Sequence, residues 1–200
     1  MASNTSITSS PAFAADLGKL RDMDLRPACV RATVAKLTAI LAKDAIALPV
    51  ADDEIIAIIV ILRSGMAMME SFISAFPKNA NIVIYHLGLF RESQTLQPVE
   101  YYNKLPRKHD AIKRAYVLDP LIATGGTAAA TIRILKTWGV GQIVFVSLLA
   151  SQAGLQNAAT CWSEGTKFVI GAQDAELDDK GYVKPGLGDI GYRLYGTILY

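Results

Sequence analysis

Residues 54–62 read EIIAIIVIL: one charge, then eight apolar side chains, most of them β-branched. A strand with one face in water would break such a run with polar residues at every second position. An unbroken one suits a strand buried on both faces of a parallel sheet. It is the longest apolar run in the chain, and it is far short of the roughly 20 residues that a membrane-spanning helix needs.

A sheet covered on both faces requires helices, and the flanking sequence supplies them. RPACVRATVAKLTAILAKDA puts Val30, Val34, Leu37 and Leu41 on one helical face, with Pro27 in the first turn and Pro49 closing the segment. After RSG comes a helical MAMMESFISAF whose methionines read as core filler. NIVIYHLGLF, AYVLD, QIVFVSLLA and KFVIGAQD then read as strands, with GTAAATIRILKTW and SQAGLQNAATCW as helices among them. This alternation predicts an α/β fold, a mostly parallel central sheet flanked by helices with right-handed crossovers. Ligands in such sheets bind beyond the carboxyl ends of the strands. The long polar RESQTLQPVEYYNKLPRKHD shows no helical period, and its place between core strands marks it as a lid or binding loop.

The first 16 residues, MASNTSITSSPAFAAD, lack the basic start and apolar stretch of a signal peptide, so a disordered tail is expected there. Residues 17–200 form one expected domain, with a glycine-dense, loop-rich end over 178–200. A hydrophobic share of 52% against 19% charged describes a globular chain with a sizeable core. The formal net charge of +2, without a run of like charges, lacks the footprint of a nucleic-acid binder. Cys29 and Cys161 lie far apart with no CxxC partner, which fits reduced thiols in the cytosol.

Three glycine-containing loops follow predicted strands: LRSG, ATGGT and PGLGDIG. In DPLIATGGTAAATIRIL the loop runs straight into a helix, whose first-turn amides and positive dipole end make an anion site. An ordinary turn capped by Thr124 or Thr127 is the competing account. No Lys-Ser/Thr pair follows the glycines, so the stretch is not a Walker loop, and GxGxxG is absent too. Asp119 ends a strand just before the loop, suited to sugar hydroxyls beside a phosphate or to the loop's own amides. Arg63 leaves a buried strand, where a guanidinium meets either an oxyanion or a structural ion pair. Arg91, at the root of the polar loop, is placed to reach a second anion or to remain a surface charge. His86 and His109 look unremarkable.

As an ordered set, LRDMD, ILRSGMAM, HLGLFRESQTLQPVEYYNKLP, VLDPLIATGGT and GYVKPGLGDIGYRLYGT resemble the uracil phosphoribosyltransferases, over about residues 17–197. The resemblance implies the type I phosphoribosyltransferase fold with a small C-terminal base-binding hood over 178–200. Two adjacent acids usually precede the phosphate loop of that fold; Asp-Pro in their place is peculiar to the uracil branch. The implied reaction joins uracil to the phosphoribose of 5-phosphoribosyl 1-diphosphate, giving UMP and diphosphate in pyrimidine salvage, in the cytoplasm.

Carried over by position, Asp119, Pro120, Leu121, Ile122, Ala123, Thr124, Gly125, Gly126 and Thr127 hold the ribose and its 5′-phosphate. Arg63 and Arg91 contact the diphosphate. Val183, Gly188, Asp189 and Ile190 form the uracil pocket, and Asp189 also faces the sugar donor. Asp189, Arg63 and Arg91 are thus the implied catalytic residues. Mg2+ is implied as cofactor, held mainly by substrate oxygens and water, and the assembly implied is a homodimer or dimer-based tetramer. Two positions depart from the family's habit: Met23 replaces a lysine tied to GTP activation, which counts against that regulation here, and Tyr192 replaces an acid in GDxGDR. A non-catalytic ligand sensor on the same fold, or a transferase for another base, remains an alternative.

Overall fold

The computed structural model describes residues 4–46, 53–92 and 98–197, with the Arg91 side chain outside that set. The chain begins with β1 (Thr5–Ile7), α1 (Pro11–Leu20) and α2 (Pro27–Ala45), then β2 (Ile56–Leu62), α3 (Met66–Ile73) and β3 (Ile82–Arg91). It continues through β4 (Pro98–Asn103), β5 (Arg114–Leu118), β6 (Leu121–Ile122), α4 (Gly126–Trp138) and β7 (Gln142–Ser151). α5 (Gln152–Ala159), β8 (Thr166–Asp174), β9 (Glu176–Leu177), β10 (Val183–Lys184) and α6 (Ile190–Tyr195) complete it.

The main sheet runs β1-β8-β7-β5-β2-β3-β4, with β6 paired to β7, and every pairing is parallel except β3 with β4. β2 sits near its middle, and Ile56 through Ile61 are at most 2% exposed. Alternate side chains serve opposite layers. Ile56, Ile58 and Val60 join α1, α2 and α3 in one core, while Ala57, Ile59 and Ile61 join α4 and α5 in the other. The mostly parallel sheet flanked by helices is therefore as expected, and it sends β2, β5 and β7 to the same edge.

The expected disordered tail over 1–16 is corrected for its described part. Thr5–Ile7 add a parallel strand to the sheet edge at β8. Asn4 Nδ2 donates to the Thr166 carbonyl at 2.9 Å, and the Ser10 hydroxyl caps α1 by accepting from Phe13 N–H. Phe13 is 1% exposed. A three-residue edge strand is too short to leave a periodic signal, which explains the misreading. The polar loop after β3 is also partly a strand: β4 returns antiparallel along β3. Its residues from Val99 to Asn103 are all exposed, so no inward-outward alternation marks it in sequence. Residues 93–97 of that segment lie outside the described residues. The glycine-dense end, too, contains regular structure, the β9–β10 ladder and α6.

If α1 is part of the core, Phe13→Ala lowers stability by about 3–5 kcal/mol, as loss of a buried phenyl does. Urea unfolding would read this as a lowered midpoint, and an unchanged midpoint would return the segment to a tail.

Candidate functional site

At the shared strand edge, three connections converge. β2 ends in Arg63, Ser64 and Gly65, a turn so tight that a Cβ on Gly65 would press on the Leu118 and Ile61 carbonyls. Asp119 directly follows β5, and its N–H donates to the Val146 carbonyl at 3.3 Å. Pro120 turns inward, its carbonyl accepting from Leu148 and Leu149 N–H at 3.1 and 3.2 Å. The third is the hood, in which Gly188 (φ +65°) turns the chain toward Asp189.

Between them lies a cleft of about 260 Å3. Of the residues expected at the site, Arg63, Asp119, Leu121, Ala123, Thr127, Gly188, Asp189 and Ile190 line it. A second cavity, about 110 Å3, shares Asp119, Leu121, Ala123 and Thr127 with the cleft and adds Ile122, Thr124, Gly125 and Gly126. It is cupped by the start of α4, where first-turn N–H groups point at any anion it holds. Pro120 and Val183 line neither; the Val183 side chain is buried with Leu187 and Leu194 beneath the hood. Arg91 ends β3, and its side chain lies outside the described residues. A larger cavity of about 640 Å3 opens between α1 and the end of β8, but its charged groups, Arg21 and Asp174, are paired with each other.

Asp119 is 7% exposed. Burial pushes its carboxyl up to about 7, although the Leu121 amide and the Ser64 hydroxyl both hydrogen-bond it and pull the other way. The group is thus poised between acid and carboxylate near neutrality. Across the cleft, Asp189 Oδ1 accepts the Tyr192 N–H at 3.0 Å and caps α6.

Several supporting residues left no signal that sequence reasoning used. The Ser151 hydroxyl donates to the Ala123 carbonyl, and Asn157 Nδ2 to the Thr124 carbonyl at 3.1 Å. Gly125 takes φ +81° and, like Gly154, comes so close to backbone across the gap that a Cβ on either would strike the other segment. α5 therefore clasps the loop from outside. Arg21 meets Asp174 through two 2.8 Å bonds and also reaches the Gly186 carbonyl. Burial opposes the Asp174 charge, but Arg21 and the Gly186 amide outweigh it and hold the carboxyl below its ordinary value. That pair ties the LRDMD segment to the hood. The Arg193 guanidinium, near which Tyr192 removes an acid, donates instead to the carbonyls of Leu20, Leu187 and Asp22.

The uracil phosphoribosyltransferase family model matches residues 47–197, which span every element of this cleft. The chain belongs to that family. Among relatives of this family member, a putative uracil phosphoribosyltransferase, urg2, of Schizosaccharomyces pombe is 46% identical over 195 residues, 98% of this chain and 91% of the relative. A uracil phosphoribosyltransferase of Roseiflexus castenholzii is 42% identical over 144 residues, 72% of this chain and 67% of its own. Among solved structures, the AQ2163 protein from Aquifex aeolicus matches with a TM-score of 0.87 at 27% identity, covering 98% of this chain and 100% of that one. A hypoxanthine-guanine phosphoribosyltransferase from Bacillus anthracis shares the fold at a TM-score of 0.53 and 14% identity, over 74% of this chain and 80% of its own. The fold of this phosphoribosyltransferase is accordingly that of the type I class.

The buried carboxyl makes stability depend on pH. The folded state holds the Asp119 proton up to about 7, whereas the unfolded chain releases it near its ordinary value of 3.8. Folding therefore binds a proton between those limits, and stability falls as pH rises through that window, by at most about 4 kcal/mol. Thermal unfolding of the wild type should lose several degrees between pH 4.5 and pH 7.5. In Asp119→Asn that part of the pH slope should vanish.

Proposed function

We propose that this family member transfers phosphoribose from 5-phosphoribosyl 1-diphosphate to uracil, releasing diphosphate and forming UMP. The observation that carries the reading is that Arg63, Asp119 with its loop, and Gly188 to Ile190 line one cleft from three distant parts of the chain. The names of its relatives give the base and the phosphoribosyl group that is transferred.

In this reading the 5′-phosphate sits in the cradle of Ala123, Thr124, Gly125, Gly126 and Thr127, against the start of α4. Asp119, at the cradle's mouth, accepts from the ribose hydroxyls. Arg63 and Arg91 receive the diphosphate, and uracil rests on the backbone of Gly188, Asp189 and Ile190 beside Val183. The C1–oxygen bond to diphosphate loosens toward an oxocarbenium-like state while N1 of uracil forms the new bond to C1 and gives up its proton. Positioning and electrostatics supply the rate, without a covalent intermediate. Asp189 orients the base, its carboxylate steadied by the Tyr192 N–H.

Among the described residues no cluster of three His, Cys, Asp or Glu side chains is placed to hold a metal, and the carboxyls of the cleft, Asp119 and Asp189, stand singly. That donor set fits a Mg2+ that arrives on the diphosphate, with oxygens of substrate and water as its main ligands and Asp189 nearby. Bound there, it offsets charge on the leaving group. The polar loop from Arg91 to Leu105, of which 93–97 lie outside the described residues, is the element suited to close over the sugar and exclude water. The reading includes a cytosolic enzyme, for which the free thiols Cys29 and Cys161 speak, and a homodimer or dimer-based tetramer, with Met23 counting against GTP activation. No helix among the described residues is long and apolar enough to cross a membrane.

Purified protein incubated with 5-phosphoribosyl 1-diphosphate, Mg2+ and a panel of bases should form UMP with uracil alone. No UMP above background would end the reading, and IMP, GMP or XMP instead would assign another base. Asp189→Asn keeps a good helix cap and so should fold normally while turnover drops on the order of 100-fold. Wild-type turnover in the folded variant would remove Asp189 from the site.

A further inference from the structure

The Arg63 guanidinium is held by aromatic rings. Its Cζ lies 5.9 Å from the ring centroid of Tyr192 and 5.7 Å from that of Tyr195. Both rings come from α6, three residues apart and so on one face of that helix. The Tyr195 hydroxyl also donates to the Arg63 carbonyl at 2.7 Å, tying the turn after β2 to the same helix. The salt bridges among the described residues join Lys19 to Asp16 and Arg21 to Asp174; Arg63 is in neither.

This environment differs in kind from an ion pair. A ring face attracts a cation through its quadrupole, yet it carries no charge to cancel and occupies none of the five guanidinium N–H donors. A carboxylate in the same place would take two of those donors and neutralise the group. The Tyr195 ring itself stays uncharged, since burial holds its phenol above its ordinary value although Arg63 and Arg31 pull against it.

We propose that Tyr192, together with Tyr195, is a positioning residue: the two rings hold Arg63 at the cleft with its charge and its donors uncommitted to any other described residue, ready for the diphosphate. This rests on the reaction proposed above, in which Arg63 meets that group. α6 is the link, because its cap, Asp189, and its first residue, Ile190, line the cleft that Arg63 borders. One short helix thereby sets the base-facing residues and the arginine in a fixed relation.

The test uses inorganic pyrophosphate as the probe, with its affinity measured by calorimetry on wild type and three variants, alongside steady-state kinetics. Tyr192→Phe keeps the ring face and should bind within about two-fold of wild type, whereas Tyr192→Leu keeps bulk without the face and should bind roughly two- to five-fold more weakly. Tyr192→Asp should be weaker again, and its gap to wild type should narrow in high salt as the new ion pair is screened. In turnover, Tyr192→Leu should raise KM for 5-phosphoribosyl 1-diphosphate more than it lowers kcat or raises KM for uracil. A generally disturbed α6 would reverse that order, because Asp189 and Ile190 would move with it. Pyrophosphate binding in Tyr192→Leu as tight as wild type would overturn the proposal, as would Phe and Leu variants equally weak. Wild type that binds pyrophosphate but forms no UMP would overturn the reaction instead. The ring assignment would stand if Leu still bound more weakly than Phe.

Discussion

The burial of β2 on both faces is the constraint from which the rest follows. A strand with no face toward water must have helices above and below and neighbours on either side, here β3 and β5 in parallel register. Parallel strands return by crossovers, so their carboxyl ends fall on one edge. That geometry alone brings Arg63 and Asp119 together. They are separated by more than fifty positions in sequence but leave adjacent strands at the same level. The core thus sets the site's dimensions, and the polar chemistry occupies positions that packing has already fixed.

The cleft divides into parts of different character. The cavity at the start of α4 is lined by the loop backbone, closed by glycines and clasped by Ser151, Gly154 and Asn157. Asp119 is a single, largely buried carboxyl whose proton affinity is raised by loss of hydration. The hood is held from below by Arg193, which satisfies three carbonyls, and from the side by the Arg21–Asp174 pair. A bidentate pair of this kind, one partner on the segment after α1 and the other at the end of β8, positions the Gly186 turn through the Asp174 bond to its amide. The N-terminal segment, although remote in sequence, therefore belongs to the support of the hood.

The legible parts of the sequence were those in which residue type and structure share a period. EIIAIIVIL announced a doubly buried strand, and Val30, Val34, Leu37 and Leu41 announced the buried face of α2. The small residues between Asp119 and α4 announced a loop that runs straight into a helix. β1 was hidden because three residues carry no pattern, and β4 because both of its faces are exposed. The clasp on the cradle was hidden for another reason. Ser151, Gly154 and Asn157 form it only when α5 packs against the loop, and nothing local in SQAGLQNAAT distinguishes that contact from an ordinary helix start. Tyr192 was legible as a departure from a motif, but its position over the Arg63 guanidinium was not.

The meeting of Gly125 and Gly154 has a consequence for how this loop can vary. A Cβ on Gly125 would strike the Gly154 carbonyl, and a Cβ on Gly154 would strike that of Ala123 and approach the Gly125 amide. The two positions therefore draw on one free volume too small for a methyl group, and each restricts the other. Substitutions there are expected to be epistatic: a side chain becomes acceptable at one position only after α5 has moved away from the loop. That movement would also break the Ser151 and Asn157 bonds that shape the cradle. The spacing between a helix and a loop is thus inherited as a unit, and neither glycine is free to change without the other.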